Sequence, residues 1–324
     1  MSIAPEGLLL VDKPTGVTSH DVVDLVRKAL GQPRVGHAGT LDPFASGLLP
    51  LVLGRATRLV RFLPHSPKRY QGVLRLGVAT STDDLTGEVL RREASPPPPR
   101  AQVLAAAARL RGTLRQVPPA FSAKKVGGQR MYRLARQGRP ASAPPATVEV
   151  SRFELEQEPD GDWRFLAEVS AGTYIRALAR DLGEQLGCGG TLVCLRRVAI
   201  GPLHVDSAVP VVDVAADRLR ERLRGAVVPL EAMPLGLPSL PLPDPSAARR
   251  FASGLAVPGP WGPPFEGLRR VFAPDEKLLG IGEVTAAGVR PVVVLPELGS
   301  PDESPAPHSA AARKRRGPSP DRDS

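Results

Sequence analysis

Apolar and polar positions along this 324-residue chain repeat with two periods, and the switches between them mark its elements. Gly7 to Asp12 is a short apolar run closed by Lys13-Pro14-Thr15-Gly16, the pattern of a buried strand followed by a turn. Thr18 or Ser19 then stands at the N-cap of a helix whose Val22, Val26, Ala29 and Leu30 share one face, and Gly31 ends it. A glycine-punctuated loop, Gly36 to Gly47, leads into a second apolar run from Leu48 to Leu53. Ala56, Leu59, Val60 and Leu63 predict a second amphipathic helix. Tyr70 to Leu76 alternates as a strand does, and the four prolines between Ser95 and Arg100 mark a surface loop.

Farther along, Gln102 to Leu110 is helical in pattern, Gln116 to Gly128 is irregular and basic, and Met131 to Gln137 is helical again. Pro140 to Pro145 forms a second proline-rich connector. Strands are predicted near Thr147 to Glu156 and Trp163 to Ser170. In the next helix Ile175, Leu178, Leu182 and Leu186 lie on one face, Arg180 and Glu184 pair at i,i+4, and Gly187 closes the end. Strands with helices between them, but no regular strand–helix–strand cadence, predict an α+β fold around a central mixed sheet. Near residue 235 the composition shifts. Pro234 to Pro245 reads as a linker, and Leu278 to Val284 with Val289 to Leu295 as a hairpin turning at Ala287-Gly288. The expected organisation is a main domain over residues 6–233, a small β-rich domain over 236–298 and a disordered tail over 299–324, where Pro, Ser, Ala and charge dominate.

At 42% hydrophobic and 23% charged residues the composition is that of an ordinary globular protein. No apolar stretch reaches the length of a membrane span. Met1 to Leu10 has no basic flank, so no secretory signal is expected and the cytoplasm is the expected compartment. Cys188 and Cys194 are too few for a disulfide framework, and their spacing without a nearby histidine is a poor zinc signature. They are expected to pack as small hydrophobes, with no metal bound. The net charge of +10 suggests a polyanionic partner. The obvious basic run, Arg313 to Arg316, is not its main source. From Ser300 to Ser324 five basic residues face four acidic ones, a net of +1, which leaves +9 in the part expected to fold.

Gly36-His37-Ala38-Gly39-Thr40-Leu41-Asp42-Pro43-Phe44-Ala45-Ser46-Gly47 is the densest candidate for chemistry. Three glycines keep its backbone accessible, and Asp42 stands between apolar neighbours. On loop chemistry alone a turn-initiating or capping role for Asp42 is an equal reading, since Asp-Pro often starts turns. Arg176 breaks a local rule, because it stands in the first turn of a helix, where the macrodipole disfavours a cation. Such a break without visible compensation often marks a functional site. Taken singly, Tyr70 reads as an ordinary strand tyrosine, His37 as a structural histidine, and Tyr174 and Leu195 as core.

The Gly36-to-Pro43 stretch resembles the signature of the TruB family, the bacterial tRNA pseudouridine-55 synthases. Lys68-Arg69-Tyr70, Thr82-Asp83-Asp84-Leu85-Thr86-Gly87, Gln116 to Lys125, and Gly172-Thr173-Tyr174-Ile175-Arg176 with Leu195-Arg196-Arg197 match the family in its order. The resemblance spans residues 6 to 210. Ala38 departs from it, where many members carry threonine, and should alter loop packing only.

The resemblance implies a pseudouridine synthase fold, mostly antiparallel with flanking helices and a C-terminal PUA-like RNA-binding domain. It implies base flipping and isomerisation of uridine 55 in the T loop of tRNA, with Asp42 as catalytic carboxylate, Tyr70 against the flipped base and Arg176 pairing with Asp42. Between Leu41 and Phe44 that carboxylate is expected to be desolvated. His37 would fill the vacated stack, and Tyr174 and Leu195 would line the uracil pocket. The reaction rearranges one glycosidic bond without redox change or group transfer, so no cofactor is expected. The expected partner is tRNA, met along its T arm and acceptor side by a monomer. Two other readings stand beside this one. A guide-RNA-dependent synthase would carry terminal extensions, and the resemblance begins at residue 6. A non-catalytic RNA-binding or RNA-folding protein would not need Asp42, Tyr70 and Arg176 together.

Overall fold

The computed structural model of the chain describes residues 4–93, 96–122, 124–126, 128–131, 134, 137, 143–211, 216–261 and 265–296. The expected tail over 299–324, and most of the helix and connector expected over 131–145, lie outside the described residues. No helix among the described residues is long and apolar enough to cross a membrane.

The first strands are β1 (Gly7–Lys13), β2 (Val35–His37), β3 (Ser46–Leu53) and β4 (Lys68–Leu76). Two short hairpins, β5 (Val78–Thr80) with β6 (Val89–Arg92) and β8 (Lys125–Val126) with β9 (Gln129–Arg130), flank β7 (Gly112–Gln116). Then come β10 (Ala146–Gln157), β11 (Trp163–Val169), β12 (Gly190–Ile200), β13 (Leu203–His204) and β14 (Val209–Pro210). The last four are β15 (Ser239–Pro241), β16 (Gly267–Phe272), β17 (Leu278–Thr285) and β18 (Gly288–Val294). Helices are α1 (Ser19–Leu30), α2 (Arg100–Arg109), α3 (Ile175–Gln185), α4 (Ala216–Gly225) and α5 (Pro245–Ala252).

Ten strands build one sheet in the order β14-β1-β3-β12-β4-β11-β10-β7, with β2 beside β3 and β13 beside β12. Only the β1–β14 and β3–β12 pairs are parallel, so the sheet is mixed and mostly antiparallel, as expected. The helix ends follow from sequence. Thr18 accepts from the Asp21 amide while Asp21 accepts from the Thr18 amide, a reciprocal capping box, and Gly31 closes α1 at φ 61°.

One arrangement positions the functional loop. β1 covers one edge of β3 along its length. The other edge is shared, with β12 taking Ser46 and Gly47 and β2 taking Leu51 to Leu53. Residues 38–45 therefore leave the sheet, since β12 occupies the place beside the start of β3. Gly47 permits that approach. Its φ is +103°, and a Cβ there would lie 2.2 Å from the Arg197 carbonyl oxygen.

Three expectations change. The segment from Gly54 to Phe62 is a 3₁₀ helix, not an α-helix. Its inward residues Ala56, Leu59 and Phe62 are three apart, the spacing that eclipses in a three-residue turn. The proline-rich stretch from Pro234 is no free linker. Leu235, Leu240 and Leu242 are buried, β15 pairs parallel with β16, and Asp244 caps α5. Of the cysteines only Cys188 is packed inside, while Cys194 is exposed on β12.

The C-terminal strands form a separate sheet, β15-β16-β17-β18, yet not a separate core. Leu278, Ile281 and Leu295 pack in one cluster with Leu8, Leu10, Leu48, Ile200 and Met233 of the large sheet and its flanks. Ile281 is fully buried, so Ile281→Ala should destabilise the protein by about 2–5 kcal/mol. The chain has two tryptophans, Trp163 on β11 and Trp261 beside the C-terminal sheet. In a Trp261→Phe background Trp163 fluorescence reports the large sheet, and its melting midpoint should fall with the Ile281→Ala change. An unmoved Trp163 midpoint would mean that the two sheets are energetically independent.

Candidate active site

Asp42 sits on the 38–45 excursion, held from several sides. Arg197, on β12 and 1% exposed, donates from Nε to the Leu48 carbonyl at 2.9 Å and from Nη2 to the Gly39 carbonyl at 3.0 Å. Its Nη1 reaches the Thr40 carbonyl at 3.4 Å. Ser19 at the start of α1 exchanges hydrogen bonds with Leu41, accepting from its amide at 2.9 Å and donating to its carbonyl at 3.1 Å. Lys13, fully buried, donates to the carbonyls of Pro14 and Val17 at 2.8 and 2.7 Å and reaches that of Pro43 at 3.4 Å. Burial lowers the Lys13 pKa to about 8, against the pull of Asp42. Leu41 and Ala45 insert into the large core, so the loop is nailed down on either side of Asp42.

Arg176 gathers three loops. Its guanidinium, 5% exposed, places Nη2 at 2.8 Å from Oδ2 of Asp42. Nη1 donates to the Thr82 carbonyl and Nη2 to the Phe121 carbonyl, both at 2.8 Å, and Nη1 stands 3.7 Å from Asp84. The carboxylates and carbonyls compensate the cation at the start of α3, where the helix field opposes it. Asp84 is the partner that sequence reasoning passed over, although it lies in a quoted motif. It is buried and braced by Thr82 and by the Thr86 amide. The expected desolvation of Asp42 is not found. Its side chain is 41% exposed and opens onto a cavity, because the loop turns the carboxylate away from the core that takes Leu41.

That cavity has a volume of about 200 Å³, smaller than the pockets of drug-sized ligands and suited to a single planar base. Asp42, Tyr70, Tyr174, Arg176 and Leu195 all line it. Tyr70 is buried on β4, and its hydroxyl has no hydrogen bond among the described residues. The backbone of Tyr174, N-cap of α3, is clamped by the buried Gln116, which accepts from its amide at 2.8 Å and donates to its carbonyl at 3.2 Å. Leu195 and Arg197 are two residues apart on β12 and share its inner face. His37 does not line the cavity. It stands at the end of β2, where the loop begins, with Nδ1 buried and without a hydrogen-bond partner among the described residues. Burial, then the Arg197 guanidinium, lowers its pKa and keeps the ring neutral. A second cavity, of about 280 Å³ beside Cys188 and the Pro96–Pro98 loop, contains none of these residues. Among the described residues no cluster of His, Cys, Asp and Glu could hold a metal.

One helical turn beyond Arg176, Arg180 pairs with Asp83 at 3.2 Å and donates to the Val117 carbonyl at 2.9 Å, joining two of the same loops. Asp83 holds a φ of 60°. Burial raises its pKa to about 6, with Arg180 and then Arg176 opposing.

Residues 27–175 match the TruB family pseudouridylate synthase (N terminal domain), and residues 176–233 match the tRNA pseudouridylate synthase B C-terminal domain. The tRNA pseudouridine synthase B of Synechococcus elongatus is 42% identical over 303 residues, covering 91% of this chain and 100% of that protein. The tRNA pseudouridine synthase B of Thermobifida fusca is 42% identical over 298 residues, covering 89% and 98%. Among solved structures, a Cbf5–Nop10–Gar1 complex is similar at a TM-score of 0.67 and 26% identity, over 91% of this chain and 88% of that one. The Nop10–Cbf5 complex of the archaeal box H/ACA sRNP shares the fold at a TM-score of 0.65 and 24% identity, over 90% and 86%.

Arg197→Met would take the donor from the buried Leu48 carbonyl and from the half-buried Gly39 carbonyl, and a buried unmet acceptor costs about 1–3 kcal/mol. The melting temperature should fall, and amide exchange in residues 38–45 should quicken. A variant as stable and protected as wild type would show that Arg197 does not hold the loop.

Asp83 gives a pH signature. Its folded pKa of about 6 exceeds the unfolded value of about 3.9, so its contribution to stability is lost as pH rises through that window. Asn tolerates the same left-handed backbone without the charge. Measured by urea denaturation, Asp83→Asn should gain stability relative to wild type between pH 4 and pH 7. A difference that stays constant with pH would refute this.

Proposed function

This chain belongs to the TruB family of pseudouridylate synthases, and on that premise we propose that it isomerises uridine 55 in the T loop of tRNA, with Asp42 as the catalytic carboxylate. It is an enzyme of that family, an isomerase that forms pseudouridine in tRNA. The observation that carries the residue assignment is the 2.8 Å pair between Arg176 and the Asp42 carboxylate, which has no other hydrogen bond or ion pair among the described residues, at the mouth of a cavity the size of a base.

The chemistry follows from the residues at hand. The N1–C1′ bond breaks, the uracil turns, and C5 joins C1′ with loss of the C5 proton. Arg176 fixes the orientation of the Asp42 carboxylate toward the cavity. Tyr70, whose hydroxyl is uncommitted, lies where the base would stack and can relay the C5 proton. Tyr174 and Leu195 form the apolar walls that hold the flipped uracil. A base in a folded loop is reached only by extrusion, and the neutral ring of His37, at the root of the loop, suits the vacated stack.

Affinity comes from elsewhere. The arginine-rich surface supplies the phosphate contacts, and the C-terminal region expected over 236–298, which holds the sheet β15 to β18, acts as the PUA-like module that meets the acceptor side. A tRNA substrate fits a cytoplasmic enzyme, and the reading takes it to act as a monomer. The likeness to Cbf5 raises guide-RNA dependence as a second reading. The curated relatives named tRNA pseudouridine synthase B, matched over nearly their full length, favour direct recognition of tRNA.

The test is incubation of pure protein, without guide RNA, with an unmodified tRNA transcript, followed by pseudouridine mapping. Wild type should modify position 55. Asp42→Asn should lose turnover while its tRNA Kd stays within a few fold, since counterion release by basic residues dominates binding. Modification elsewhere, or only with guide RNA, would refute the substrate assignment. Comparable turnover by the Asn variant would remove Asp42 from its role.

A further inference from the structure

A lysine in the same cavity has no hydrogen-bond or ion-pair partner among the described residues. Lys68 and Tyr70 are two residues apart on β4 and so project to the same side of the sheet. Lys68 lines the cavity with Asp42, Tyr70 and Leu195. Its Nζ lies against Gly39, about 4.0 Å from where a Cβ would stand, beside the Arg197 guanidinium. The side chain is half-buried and makes no hydrogen bond or ion pair among the described residues. Lys13 is the contrast, with three carbonyls around its ammonium.

An unpaired ammonium next to a guanidinium is unfavourable in the resting protein. Burial and then the repulsion of Arg197 lower its pKa to about 8, so it is mostly charged near pH 7. Cations that serve phosphate binding alone gain nothing from such a place, since exposed arginines do that work without desolvation. A cation kept here at a cost to stability fits a site where negative charge arrives only during the reaction.

The reaction supplies that charge by every route a carboxylate can start. If Asp42 attacks C1′, or a sugar proton is removed, the N1–C1′ electron pair leaves with the base as a uracil anion spread over N1, O2 and O4. If Asp42 adds to C6 of the uracil, the electrons shift onto C5 and O4 as an enolate. When C5 bonds to C1′ and loses its proton, and N1 regains one, the charge disappears. We propose that Lys68 is a further catalytic residue, whose ammonium pairs with a uracil oxygen and stabilises the negative base between cleavage of N1–C1′ and closure of C5–C1′. This rests on the isomerase reading above.

The experiment measures tRNA Kd, its salt dependence and the single-turnover rate at saturating enzyme for wild type, Lys68→Met, Lys68→Gln and Lys68→Arg. Melts of all four run alongside. Wild-type turnover tests the isomerase reading, and only the ratio of variant to wild type tests Lys68. Met and Gln should melt at or above the wild-type temperature, bind tRNA within about twofold and react roughly 100-fold or more slowly, the effect of removing one stabilising donor from a site of developing charge. Arg should restore part of the rate, since it keeps the charge but places it differently. If Met and Gln weaken binding, flatten the salt slope by about one and react normally at saturation, Lys68 is a phosphate contact and the proposal falls. Wild-type rates in both variants overturn it equally. Marked loss of melting temperature in both, with the rate lost in proportion, would make Lys68 structural.

Discussion

The guanidinium of Arg197, taken out of water and spent on backbone carbonyls, is what the active loop depends on. A chain that leaves a sheet for eight residues loses its ladder partners, and its carbonyls must find donors or face solvent. Arg197 supplies them at both ends of the excursion, at Gly39 and Thr40 on the way out and at Leu48 on the return. Because Arg197 belongs to the middle strand of the sheet, the loop inherits that strand's rigidity. The same contact demands a glycine at position 47, where the two backbones nearly touch.

With the loop fixed, the half-open carboxylate of Asp42 can be aimed. Arg176 does so from α3, and the Thr82 and Phe121 carbonyls hold Arg176 in turn. Burying a guanidinium is unfavourable unless its donors are met, and here they are met by groups from three loops. The loops, Arg176 and Asp42 therefore order together. The result is an acceptor on a rigid support facing a cavity lined by both apolar and charged side chains, a placement that binding energy alone would not require. Arg180 repeats the device one turn later with Asp83 and Val117, stiffening the same loops from outside.

The C-terminal sheet bears on the site more indirectly. Its Leu278, Ile281 and Leu295 share a cluster with Leu8 and Leu48, the first residues of β1 and β3 to turn that way. Arg55, just after β3, carries the contact further, pairing with Glu6 at 2.6 Å and donating to the Pro296 carbonyl at 3.0 Å. The C-terminal sheet is thus joined through packed side chains to the sheet that supports Asp42.

Period and punctuation in the sequence determined β1, α1, β4, β11, α3 and the β17–β18 hairpin, because each buries one face by a local repeat that can be counted. The ordered motifs carried the family, and Arg176 was legible as a cation in a place its own helix disfavours. The tertiary structure alone decided the rest. β12 hid its alternation behind two bulges and the charge of Arg196 and Arg197, so the central strand went unread. The leucines after Pro234 looked like linker because prolines outnumbered any repeat, yet a neighbouring sheet buries them. The desolvation expected of Asp42 from Leu41 and Phe44 failed because adjacent residues on an excursion can face opposite ways. Arg197, Asp84 and Lys68 owe their importance to groups far off in the chain, as Arg197 does to Leu48, 149 positions away. A periodic pattern records which face of an element is buried, but not what a buried charge meets there, since that is settled only when separate segments close around it.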